Sequence, residues 1–82
     1  MLYTAKCFWP GATTEAVELA AARVMTTTAV FRAALFLPRE ELVLCLFESA
    51  SAADVKRASE DAGFPCERVI ETVWIESEGE ST

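Results

Sequence analysis

Leu42 to Phe47 form six consecutive apolar residues with no polar position among them. A strand turns successive side chains to opposite faces, so this segment predicts a strand that needs apolar cover on both sides. The pattern on either side of it resolves into further elements. "LYTAKCFW" is rich in aromatic and strand-favouring residues and stops at the turn pair Pro10-Gly11. Val17, Ala20, Ala21, Val24 and Thr28 then recur at helical spacing on one face, with Thr13 or Thr14 placed to cap the start. "AVFRAALFL" reads as a second strand ending at Pro38, "PREE" as a polar turn, and "ELVLCLFES" as the third strand. "SAAD" opens a second helix in the manner of a capping box, and Ala52, Val55, Ala58 and Ala62 make its apolar stripe. Gly63 and Pro65 stop that helix, and "RVIETVWIE" is the last strand.

The order is β-α-β-β-α-β with no internal linker. Two right-handed split β-α-β units then interlock, which predicts an α+β, ferredoxin-like plait: a four-stranded antiparallel sheet of order 4-1-3-2 with both helices on one face. Residues 1–76 make this single domain, and 77–82 form an acidic flexible tail. The third strand becomes central, with helices on one side and nothing on the other. Alternation assigns Tyr3, Ala5, Cys7 and Trp9, then Phe31, Ala33, Leu35 and Leu37, then Ile70, Thr72 and Trp74 to the helix side. The open side takes Lys6, Phe8, Arg32, Ala34, Phe36, Val69, Glu71, Val73 and Ile75, together with Leu42, Leu44 and Leu46. Such a face is too apolar for water, since monomers rarely expose contiguous apolar patches beyond about 300–600 Å². A homodimer joined through Phe8, Phe36, Leu42, Leu44, Leu46, Val69 and Val73 is the expectation.

Composition narrows the setting. A net charge of −6 over 82 residues speaks against nucleic acid and anionic membranes, both of which need a basic face. No signal-peptide layout is visible in "MLYTAKCFWPG", and the longest apolar region is broken by Arg32 and "PREE", so a cytoplasmic location is expected. The odd cysteine count, at wide spacing, is no disulfide framework. Cys7 and Cys45 read as core residues on adjacent strands, and Cys66 as a more reactive thiol in an exposed loop.

"FWPGATTEAVELAAARV", "LVLCLFESAS" and "DVKRASEDAGFPCERVIETVWI" together resemble a family of small actinobacterial proteins, formerly a domain of unknown function, that includes a dimeric nickel-binding protein of ferredoxin-like fold. The markers are Phe8 with Pro10-Gly11, the strand Cys45-Leu46-Phe47-Glu48, and Ala62-Gly63-Phe64-Pro65 followed by Arg68 and Val69. The resemblance spans almost the whole chain and implies the same fold and a dimer. Nickel does not come with it. The chain has no histidine, Ala58 stands where the family carries one on its second helix, and nickel at a nitrogen–oxygen site favours imidazole. No metal or other cofactor is expected.

The chemistry-bearing candidates are few. Without histidine, a cysteine or serine nucleophile lacks its usual base. Lys6 and Glu71 could face each other across strands four and one as an acid–base pair, because burial moves a carboxylate towards neutrality. Arg32 and Glu48 complete the candidate ligand-binding set. Lys56–Glu60 and Arg57–Asp61 are helical i,i+4 pairs on a solvated face. Three functions follow from these residues: a small homodimeric binding or accessory protein with an unidentified small-molecule ligand; a cofactor-free isomerase or monooxygenase working in a pocket at the sheet-face interface; or a protein-interaction module. The fold hosts all three.

Overall fold

The computed structural model describes residues 1–26 and 28–77. It contains β1 (Leu2–Phe8), α1 (Thr14–Ala22), β2 (Ala29–Leu37), β3 (Leu42–Ser49), α2 (Ala52–Asp61) and β4 (Cys66–Thr72). The strands make one antiparallel sheet in the order β2-β3-β1-β4, the expected 4-1-3-2 read from the other edge. The α+β ferredoxin-like plait is therefore the observed fold. Of the acidic tail expected over 77–82, all but Ser77 lies outside the described residues.

The local signals act through identifiable contacts. Thr13 Oγ1 accepts from the Ala16 N–H at 3.1 Å, and Ser51 Oγ accepts from the Ala53 and Asp54 N–H groups at 3.1 and 3.3 Å. Both occupy donors that a helix start otherwise leaves open. Gly63, at φ +102°, closes α2 in a conformation that side chains rarely adopt. α1 ends at Ala22, so Val24 still packs against the core, while Thr28, expected on the same stripe, lies beyond the helix and is exposed. On α2 Lys56 pairs with Glu60 at 3.4 Å as its spacing predicts, but Arg57 turns back to Asp54 at 3.3 Å instead of reaching Asp61.

The core lies between the helices and one side of the sheet. Val43, Cys45 and Phe47 of β3 and Ala5 and Cys7 of β1 are fully buried there, beneath Val17, Ala20, Val55, Ala58 and Ala62. Phe47 meets Phe31 edge-on at 5.3 Å, and Trp9 meets Phe64 likewise at 6.0 Å. The buried Ser59 hydroxyl donates to the Val55 carbonyl at 2.8 Å, so it carries no unmet hydrogen bond into the core.

Two strands depart from strict alternation. The β2–β3 register slips between Phe31 and Ala33, which makes Arg32 the extra residue of a β-bulge. Beyond the bulge the faces exchange. Ala34 and Phe36, expected on the open side, pack towards the core. Ala33, Leu35 and Leu37, expected under the helices, face away with Leu46, Leu44 and Leu42. β4 starts earlier than expected, at Cys66, and its register with β1 shifts beside Cys7, where Glu67 is the additional residue. Val69, opposite Ala5, packs against the core, and Glu71 lies opposite Tyr3 on the same side, while Ile70 and Thr72 take the open side. Trp74, expected under the helices, lies beyond the end of the strand. Val73 also falls past the strand and is 79% exposed. Phe36 and Val69 are thus helix-side residues and cannot belong to an interface through the open face.

Cys66 is likewise not an exposed loop thiol. It opens β4 directly opposite Cys7 and is buried, as are Cys7 and Cys45. The Cys7 side chain interacts with the thiols of both Cys45 and Cys66. The hydrogen bond with Cys45, followed by burial, pushes the Cys7 thiol well above the usual thiol range. Burial, followed by the neighbouring Cys7, pushes Cys66 up to about 11. Cys7 and Cys66 therefore stay protonated at neutral pH, and protonated thiols neither attack nor ligate.

Two outcomes are expected. Phe47→Ala should lower the unfolding free energy by about 3–5 kcal/mol, the usual loss for a large core aromatic, while Leu19→Ala on the exposed side of α1 should stay within about 0.5 kcal/mol; urea denaturation measures both. The thiols add a pH dependence of definite sign. An unfolded thiol ionises near ~8.5, but folded Cys66 keeps its proton to about 11, so the folded state binds more protons in that window. Stability from this source is intact below the unfolded value, falls as pH rises, and levels off above the folded one. Cys66→Ala should flatten the decline in urea midpoint above about pH 8.5, and an unaltered decline would mean that the folded thiol ionises freely.

Candidate functional site

The open side of the sheet carries the candidate site, because its apolar residues have no layer above them. Leu42, Leu44 and Leu46 of β3 stand in rows with Phe8, Lys6 and Thr4 of β1 and with Leu37, Leu35 and Ala33 of β2. Arg68 and Ile70 continue the Lys6 and Thr4 rows on β4, and Thr72 stands beside Leu2. Leu35 and Val30 are more than half exposed and Phe8 nearly so, whereas Leu46 is only 8% exposed. Of the residues the sequence nominates for an interface, Phe8, Leu42, Leu44 and Leu46 share this face.

Leu46 lies in the lining of a hollow of about 340 Å³, with Leu2, Ala33, Trp74, Arg32 and Glu48. Two irregularities assemble it. The bulge in β2 turns Ala33 to the hollow beside Arg32, its extra residue, as bulges re-aim side chains at sheet rims. The end of β4 at Thr72 releases the following residues, and Trp74 reaches the same hollow. The Trp74 indole N–H donates to Glu76 Oε2 at 3.1 Å. Alternation along the sequence assigns β4 the opposite parity and so places Trp74 on the helix side, whereas Ile70 and Thr72 take the open side.

The charged candidates divide between the two sides. Arg32 and Glu48 both line the hollow. Glu48 Oε1 lies 3.8 Å from the Met1 amino group. Lys6 is on the open side opposite Arg68, and its Nζ is 3.9 Å from Glu67 Oε1. Glu71 is on the helix side, so the expected Lys6–Glu71 acid–base pair does not form. The additional residue of the β4 bulge, Glu67, has taken its place. Among the described residues, Arg32 and Arg68 have no ion-pair partner.

A second hollow, of about 330 Å³, lies on the other side of the sheet between α1 and β2. Phe31, Ala34 and Phe36 form its sheet wall, with Val17 and Ala21 from the helix. Ala58, where the resembled family carries its helix histidine, is buried at 7% exposure in the core. Among the described residues no group of three or more Cys, Asp or Glu side chains is placed to hold a metal ion, and no helix is long and apolar enough to cross a membrane.

The comparisons agree with the fold and go no further. No protein-family model and no curated protein matches the chain. A solved structure does: the crystal structure of SCO4226 from Streptomyces coelicolor A3(2) is similar with a TM-score of 0.78 at 21% identity, covering 93% of this chain and 100% of that one. At that identity the likeness is one of architecture, and this chain shares the plait of that actinobacterial protein.

Proposed function

We propose that the protein is a small homodimeric binding protein, in which two copies associate through the open sheet faces and a small-molecule ligand occupies the hollow beneath Trp74. The observation that carries the reading is the double-sided apolar character of β3. Val43, Cys45 and Phe47 are covered by helices, while Leu42, Leu44 and Leu46 look out between Phe8 and Leu35, which remain exposed. A second copy supplies the same apolar surface in return, as twofold association requires. Ligand pockets are concave, mostly apolar and marked by a few polar groups, with volumes from about 300 Å³ upward, and the hollow fits that description at its lower end. Binding is favoured over catalysis because Lys6 and Glu71 stand on opposite sides of the sheet, which removes the acid–base pair that a cofactor-free enzyme would have used. A cytoplasmic setting remains part of the proposal.

Sedimentation velocity tests the assembly. The wild-type chain should run as a dimer at micromolar concentration. Leu44→Asp should run as a monomer with unchanged far-UV circular dichroism, since it puts an unpaired carboxylate into the interface and leaves the helix side intact. A monomeric wild type at that concentration would remove the dimer from the proposal.

A further inference from the structure

Resting on the reading of this face as a small-molecule site, we propose that the ligand is a small aryl monocarboxylate, its carboxylate held by Arg32 and its flat apolar ring lying against Trp74 and Leu46. Three observations lead there. Arg32 is the extra residue of the β2 bulge, and it carries a guanidinium in the lining of an apolar hollow. That guanidinium has no ion pair among the described residues, although Glu48 lines the same hollow. A planar fork of donors left free in this way matches a carboxylate in two parallel hydrogen bonds.

The second observation is electrostatic. The chain carries a net charge of −6, yet the open side holds Lys6, Arg32 and Arg68 against Glu48, with Glu67 drawn to Lys6. Arg32 and Arg68, on the most apolar face of an acidic protein, have no ion-pair partner among the described residues. Two such faces brought together set the cations of both copies near one another, and a bound anion offsets their repulsion.

The third is the composition of the walls. Leu2, Ala33, Leu46 and Trp74 offer apolar surface, and Trp74 offers a flat ring for an offset stack. A phosphate dianion needs several donors, commonly a glycine-rich run of backbone N–H groups, and the chain has three glycines in all. One guanidinium in an apolar hollow suits a single negative charge on a flat, apolar body.

The test is an NMR titration of the ¹⁵N-labelled full chain with four probes of one shape: phenylacetate, phenylacetamide, 2-phenylethylamine and phenyl phosphate. The readout is the Trp74 indole N–H resonance, assigned by its loss in Trp74→Phe. Phenylacetate should move it with an affinity about tenfold or more above that of the amide, a difference of about 1.4 kcal/mol. Arg32→Gln should bring phenylacetate down to the level of the amide. Arg32→Lys, which keeps the charge and loses the fork, should forfeit most of the preference, and Arg68→Gln should change it about twofold at most. Equal affinity for acid and amide, or a preference for the amine or the phosphate, would overturn the ligand class and leave the pocket standing. Failure of every probe to move Trp74 at millimolar concentration would overturn the pocket as well.

Discussion

The central strand β3 must be covered on both faces, and one layer of helices covers only one. Val43, Cys45 and Phe47 receive α1 and α2 and become the densest part of the core. Leu42, Leu44 and Leu46 sit in the same strand at alternate positions, so any sequence change that makes the open side polar must work residue by residue between fully buried neighbours. A chain of this size has no third layer to add, since small domains bury a limited share of their surface. The position of the candidate site follows from that shortage of cover.

Irregularities then give the bare face its chemistry. A perfectly alternating β2 would have kept Ala34 and Phe36 outward beside Arg32. The bulge withdraws Phe36 and Ala34 to the helix side and turns Ala33, Leu35 and Leu37 out, while Arg32 lines the hollow that Trp74 reaches from beyond β4. On the opposite edge the shift beside Cys7 inserts Glu67 within reach of Lys6 and seats Cys66 against Cys7. Each bulge thus changes which side chains share a face, and neither alters the order of elements.

The parts of the fold legible in the sequence are those set by periodicity and local chemistry. The element order, the caps at Thr13 and Ser51, the stop at Gly63, and the two faces of β1 and β3 all follow from patterns that extend over a few residues. The faces of β2 beyond Phe31 and those of β4 were not legible, because a bulge leaves no mark in the alternation of a strand that is apolar at nearly every position. In "AVFRAALFL" either parity gives an apolar face, so only pairing with β3 decides it. Cys66 and Trp74 fail for a related reason: both lie at the ends of β4, and a shift of the strand by two residues exchanges loop for strand at one end and strand for loop at the other. For the site, Arg32 and Glu48 could be nominated as charges among apolar neighbours, but their meeting with Trp74 depends on the course of the chain beyond the end of β4 at Thr72.

The bulge at Arg32 also bears on how the sheet ends. β2 is an outer strand, nine residues long and almost entirely apolar, which is the profile of a template for unwanted strand addition. An extra residue in its middle breaks the run of evenly spaced backbone donors and acceptors and twists the rim, so a straight incoming strand can align with only one half at a time. The other rim, β4, carries Glu67, Arg68 and Glu71 and repels a like strand by charge. With both rims closed to strand addition, apolar association is left to the broad surface of the sheet, and a protein with so much exposed hydrophobic area is steered away from open-ended stacking and towards assemblies that stop.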